Sequence, residues 1–285
     1  MRARPPERLS VPAPAKINLF LHVLGRRADG YHLLQTAFQF LDYADLLHFR
    51  RRDDACLRRL DEVPGVDPGT DLVLRAARAL QRHAGVRLGV DIALDKRLPL
   101  GGGLGGGSSD AATTLLALNR LWGLDLPMEV LARIGLELGA DVPVFVHGRA
   151  AWAEGVGERL TPIEPPEPWY LVAWPPLSVS TAAVFSDPEL TRNTPPIKIS
   201  AFRPGVGRND CEALVRRRFP EVGQLIDWMA ERAPARMSGT GACVFAAFAG
   251  EAAARAALAE LPAPWQGFVA RGCNRSPAHE VLASP

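Results

Sequence analysis

Residues 99–112 read Pro-Leu-Gly-Gly-Gly-Leu-Gly-Gly-Gly-Ser-Ser-Asp-Ala-Ala, and the glycines at 101, 102, 103, 105, 106 and 107 run straight into Ser108, Ser109 and Asp110. The next stretch, Ala111 to Trp122, places Leu115, Leu118 and Trp122 on one face and predicts a helix. Glycines without Cβ let the backbone approach a ligand and point successive N–H groups inward. The free N–H groups and the positive end of the helix dipole then favour an anion at the turn. The chemistry this predicts is a cradle for a polyphosphate.

Other readings of a glycine run fit less well. A flexible linker conflicts with the apolar segments on both sides, Val90 to Leu94 before and the helix after. A dinucleotide site needs a βαβ unit with an acidic residue about 20 residues on. Leu121 to Pro127, at that distance, reads as a helix end and a turn. The P-loop of nucleoside triphosphatases is absent, because no Lys-Ser or Lys-Thr follows the glycines.

A chain of 285 residues, 47% apolar and 22% charged, is globular and large enough for one large or two ordinary domains. A net charge of +2 gives no reason to expect a nucleic-acid or membrane partner. The arginine runs 50–52 and 216–218 have acidic neighbours and read as solvated faces. Lysine occurs only at 16, 96 and 198, which makes each one worth asking about. Cys56, Cys211, Cys243 and Cys273 lack metal or redox spacing and are expected to be reduced thiols. The opening Met1-Arg2-Ala3-Arg4-Pro5-Pro6-Glu7 leads into no apolar signal core, and no run of 18 apolar residues occurs. A soluble, cytoplasmic protein is the expectation.

Along the chain, strands are expected over Ser10–Val23, Leu33–Phe49, Val86–Leu94, Val142–Val146 and Ala150–Ala153. Helices are expected over Leu72–Ala84, with Leu74, Ala77 and Leu80 inward, and over Met128–Leu138, ended by Gly139. The proline-rich stretch Pro162–Pro168 is the candidate domain boundary, dividing the chain into 1–161 and 162–285. Beyond it come strands Trp169–Pro175, Ala242–Phe248 and Gly267–Cys273, and helices Asp210–Phe219, Val222–Ala233 and Ala252–Leu261. The order lacks a regular βαβ rhythm, which predicts an α+β fold with largely antiparallel sheets.

Several short motifs stand out beside the glycine run. Pro14-Ala15-Lys16-Ile17-Asn18 puts Lys16 and Asn18 on one face of a strand. Asp29-Gly30-Tyr31-His32 sets an aromatic ring and an imidazole after a turn. Leu138-Gly139-Ala140-Asp141-Val142-Pro143 places Asp141 between a helix-ending glycine and a proline, and Met237-Ser238-Gly239-Thr240-Gly241 is a second glycine loop. Together these resemble the GHMP kinase superfamily of small-molecule kinases. Within it the likeness is to the branch acting on a cytidine diphosphate-linked methylerythritol, and it runs from Ala13 to His279. It takes in Glu154-Gly155-Val156-Gly157-Glu158, Asp187-Pro188-Glu189-Leu190, Asn209-Asp210-Cys211-Glu212 and Asn274-Arg275-Ser276-Pro277.

The resemblance implies a two-lobed fold. An N-terminal lobe like domain 2 of ribosomal protein S5 would carry ATP, and a C-terminal ferredoxin-like lobe would face it. It implies transfer of the γ-phosphoryl group to the 2-hydroxyl of the methylerythritol unit, with Mg2+ as a further requirement and no metal ligand declared by the sequence. Asp141 matches a general base and Lys16 the cation beside it. Pro99, Gly101, Gly102, Gly103, Leu104, Gly105, Gly106, Gly107, Ser108 and Ser109 match the triphosphate cradle, and Lys96 a position near adenine. Asn18, Val156, Thr181, Gly239, Thr240 and Gly241 match substrate positions. Tyr31 and His32 match the cytidine site, with Phe185 as the opposite face. Asp71 stands where asparagine is usual, which leaves the adenine contacts open. The resemblance further implies a small-molecule substrate, no nucleic acid or membrane, and a monomer or weak homodimer. Another GHMP kinase, such as one for homoserine or mevalonate, and a nucleotide sensor without catalysis are the competing readings.

Overall fold

The structure is a computed structural model that describes residues 5–61, 69–203 and 205–283. The first four residues of the opening segment lie outside them. The spine is an antiparallel ribbon of β1 (Arg8–Arg26) and β2 (His32–Arg52). The far edge of β2 is shared in succession by three strands. β5 (Ala151–Gly155) covers Leu34–Phe38, β10 (Gln266–Cys273) covers Phe40–Leu41, and β4 (Gly89–Asp95) covers Leu46–Arg52. The short strands β3 (Leu57–Arg59) and β6 (Arg159–Pro162) extend the first lobe from β4 and β5. β7 (Trp169–Trp174), β8 (Ala235–Met237) and β9 (Val244–Phe248) form the second lobe's sheet with β10. The contact of β10 with β2 is what joins the two lobes into one sheet.

The first lobe packs α1 (Leu72–Ala84), α2 (Gly106–Leu121), α3 (Met128–Leu136) and α4 (Val142–His147) on the β1–β2 ribbon. Leu74, Ala77 and Leu80 of α1 are buried as the periodicity predicts, with Leu115 and Leu118 of α2 and Phe40 and Phe49 of β2. The second lobe sets α6 (Glu212–Arg218), α7 (Pro220–Ala230) and α8 (Glu251–Ala259) on its sheet, around Leu171, Leu225, Met237 and Val244. α5 (Thr181–Ser186) lies at its start, and α9 (Pro277–Ala283) returns to pack on β1 and α2 of the first lobe.

One expected strand is a helix. Val142–Val146 is valine-rich and short, a pattern that periodicity alone cannot separate from a buried helix. Proline in the first turn has no N–H to lose, and Gly148 closes the segment in the left-handed region at φ +65°. The strand expected from Val86 begins only at Gly89, because Gly85 at φ +64° first ends α1 and turns the chain.

Candidate active site

The ribbon is irregular where chemistry concentrates. Its register shifts between Pro14 and Lys16 and again between Asn18 and Phe20. Pro14 has no N–H for the ladder, and bulges of this kind re-aim neighbouring side chains. Lys16 and Asn18 sit between the two shifts, both buried and both lining a cleft of about 900 Å³.

The cleft is floored by the glycine run. Gly101, Gly103 and Gly105 have φ of +65°, +76° and +72°. Gly105 is the N-cap of α2 and offers no capping side chain, so the first N–H groups of the helix remain open to a ligand. The loop is also pinned from behind. The Gly103 carbonyl accepts from Ser238 Oγ at 3.0 Å, and the Gly102 carbonyl from the Cys243 N–H at 3.1 Å. A Cβ on Gly103 would come within 2.1 Å of the Ser238 carbonyl oxygen. The second glycine loop therefore buttresses the first.

Lys16 spans the join. Its Nζ donates to Asn18 Oδ1 at 2.5 Å and to the Gly103 carbonyl at 3.1 Å, and pairs with Asp141 Oδ2 at 3.3 Å. Asn18 Nδ2 donates to Thr36 Oγ1 at 2.9 Å, and Thr36 donates to the Phe20 carbonyl. The Asn18 amide thus orients Lys16, with its second N–H left for a ligand in the cleft it lines. Asp141 stands at the start of α4, makes no capping bond, and is 34% exposed, so its carboxylate faces the cleft. A buried cation holding a half-open carboxylate beside an anion cradle can polarise an incoming hydroxyl and offset charge on a transferred phosphoryl group.

At the other end, the His32 and Phe185 rings lie 5.0 Å apart at 30°. Tyr31 is 63% exposed on the cleft wall. Burial first, then Arg192 and Arg26, lowers the pKa of His32. Thr181 and Thr240 share a hydrogen bond of 2.9 Å across the second-lobe wall, beside Gly239, and Val156 lines the rim.

Pro99, Gly101 through Ser108 and Lys96 line the cleft, whereas Ser109 and Gly241 lie behind its wall. The Ser109 hydroxyl is buried without a partner. Lys96 is clamped by Asp45 at 2.6 Å and Asp110 at 2.7 Å. Burial works to lower its pKa, but the two carboxylates outweigh it and raise it, while burial raises that of Asp110. Asp71 is engaged as the N-cap of α1, accepting from Val73 N at 2.7 Å, and pairs with Arg59 at 2.7 Å. The arginine runs are paired too, Arg50 and Arg52 with Asp91 and Arg218 with Asp187 and Glu189. Sequence reasoning missed Thr36, Asp45 and Arg192. Thr36 and Asp45 sit in an unbroken strand pattern, and Arg192 is one arginine among many.

Among the described residues no helix is long and apolar enough to cross a membrane, and the four cysteines are free.

Residues 71–149 match the model for the GHMP kinases N terminal domain and residues 197–267 that for the GHMP kinases C terminal domain. A 4-diphosphocytidyl-2-C-methyl-D-erythritol kinase from Alkalilimnicola ehrlichii is 65% identical over 92% of this chain and 90% of its own. The chain belongs to the 4-diphosphocytidyl-2-C-methyl-D-erythritol kinase family. A crystal structure of a kinase of this family superposes with a TM-score of 0.81 at 36% identity, covering 93% of this chain and 99% of the other. Homoserine kinase from Cytophaga hutchinsonii, at 17% identity, shares the fold with a TM-score of 0.65 over 97% of this chain and 98% of its own. The fold is the two-lobed GHMP kinase fold, as the motifs imply.

Proposed function

We propose that the chain transfers the γ-phosphoryl group of ATP to the 2-hydroxyl of 4-diphosphocytidyl-2-C-methyl-D-erythritol, releasing ADP and the 2-phosphate, a step of isoprenoid precursor synthesis. The observation that carries this reading is the Lys16–Asp141 pair at 3.3 Å, set between the open N-terminus of α2 and the His32–Phe185 rings. One ligand then lays its phosphates on Gly101–Ser108, and the other enters base-first beside Tyr31, His32 and Phe185. The substrate hydroxyl attacks the γ-phosphorus, its proton passes to an Asp141 oxygen, and the bond to ADP breaks. Lys16 keeps Asp141 in place and faces the moving charge. In a loose transition state this positioning carries more of the rate than proton removal does.

Magnesium fits as a companion of the triphosphate. The described residues hold no group of three or more His, Cys, Asp or Glu side chains able to bind a metal ion. Near the glycine loop the side-chain oxygens on the cleft include those of Ser108, Asp141 and Asn18, the last already accepting from Lys16. Bound with the nucleotide, Mg2+ would neutralise charge on the phosphates, with the Ser108 and Asp141 oxygens as the nearby protein groups to help hold it. Residues 1–161 form the nucleotide lobe in this reading and 162–285 the lobe that covers it. A monomer or weak homodimer belongs to the same reading, and four free thiols suit a reducing cytoplasm.

The test is ADP release with Mg-ATP and a panel of the cytidyl substrate, mevalonate and homoserine. Turnover of the cytidyl substrate alone is expected. Preferred turnover of another alcohol would overturn the reading, and binding of both ligands without turnover would favour a sensor.

A further inference from the structure

The base end of the cleft contains a contact for which phosphoryl transfer has no use. Arg192 does not line the cleft, yet its Nε donates to His32 Nε2 at 3.0 Å. The same guanidinium is fixed by three carbonyls, donating to Phe185 at 2.9 Å, Asp187 at 2.7 Å and Leu190 at 3.1 Å. A guanidinium has donors only and keeps its proton, so Nε2 of His32 must present its lone pair. In a neutral imidazole the proton then sits on Nδ1. The lowered pKa of His32 agrees with a neutral ring. His22 Nδ1 is sealed in the interior without a partner, whereas His32 Nδ1 is not sealed, and its ring borders the cleft. Arg192 also holds the Phe185 carbonyl, so one side chain ties the His32 ring to the backbone that carries Phe185.

We propose that Arg192 is a positioning residue that locks His32 as its Nδ1–H tautomer, so that the pocket donates to the ring nitrogen N3 of cytosine and rejects uracil. Cytosine N3 is an acceptor, whereas uracil N3 carries a hydrogen and would face the donor with a second donor. This rests on the base-pocket reading above.

The test measures kcat and KM for the cytidyl substrate and its uridyl analogue in the wild type and in Arg192→Met. It also measures the KM for ATP in both and the imidazole nitrogen spectrum of the wild type. In the wild type the uridyl analogue should be disfavoured by on the order of ten-fold or more, the scale of one unmade hydrogen bond. In Arg192→Met, KM for the cytidyl substrate should rise by more than kcat falls, and the preference over uridyl should shrink. The KM for ATP reports whether the nucleotide lobe is intact. The wild-type spectrum should show His32 protonated at Nδ1. A spectrum with the proton on Nε2, or an unchanged preference in a variant with normal KM for ATP, overturns the proposal and leaves the base pocket standing. Equal use of cytidyl, uridyl and base-free substrates by the wild type overturns the pocket reading and the proposal with it.

Discussion

The two ends of the cleft are built in opposite ways. The phosphate end is backbone, contributed by one contiguous loop in which each glycine either bends left-handed or lies against a neighbour. The base end is side chains, drawn from a turn in the first lobe and from α5 and the segment after it in the second. On the proposed reading, a loop of backbone donors takes the phosphates of any nucleotide, whereas paired rings and one fixed imidazole select one base. Generality lies in the local segment, and specificity lies in the long-range contact.

The sharpest way to break this contrast is Gly103→Val. Its φ of +76° and the 2.1 Å approach to the Ser238 carbonyl force the two glycine loops apart. Displacement of this size should cost about 10²-fold in kcat/KM for ATP. Gly85→Ala is the control, because φ there is +64° with nothing within 4 Å of an added Cβ. It should cost about 1–2 kcal/mol of stability for the left-handed conformation and leave the KM for ATP alone. Equal kinetic losses in both variants would mean that strain, not docking of the loops, is what matters.

The next effect is at the join. Lys16→Ala removes the cation from Asn18, Gly103 and Asp141 together. Steady-state kinetics of Lys16→Ala, Asp141→Asn and the double variant should show a loss smaller than the product of the single losses, because the pair acts as a unit. Fully multiplicative losses would separate the two roles.

At the base end, Tyr31→Ala removes an exposed ring that supports no core. The KM for the cytidyl substrate should rise by an amount worth about 1–3 kcal/mol, as for a lost stacking platform, with the KM for ATP unmoved. A parallel rise in both would contradict the separation of the two ends.

The smallest expected effect is with pH. Burial lowers the pKa of His32 below its ordinary 6.5, so the neutral ring that accepts from Arg192 prevails above that value. Protonation removes the acceptor, so affinity for the cytidyl substrate is present above the ordinary value and lost as pH falls through the lowered one. A KM profile that stays flat as pH falls through the histidine range would remove the neutral imidazole from recognition.

The sequence was most readable where function is local. The glycine run, the helix after it and the alternating β1–β2 ribbon carry their own periodicity. The docking of the two loops was not readable, since Gly103 and Ser238 meet across 135 positions. Asp71 looked like an adenine-side departure until its place as the cap of α1 supplied a local reason for an acid there. α4 was misread because valine favours strands and only the proline and Gly148 say otherwise. The short elements β3, β6, α5 and α9 are set by tertiary pairing rather than by pattern. Arg192 had no local signature, since its partner His32 lies 160 positions away.

The most direct test of the account is Asp141→Asn, with calorimetry of Mg-ATP and of the cytidyl substrate beside turnover. The change keeps the shape of the side chain and removes the proton acceptor. Both affinities should remain, and turnover should fall by about 10²–10⁴-fold, toward the lower end for a loose transition state. Undiminished phosphorylation by the variant would contradict the assignment of Asp141 as the base at the point where the two ends of the cleft meet.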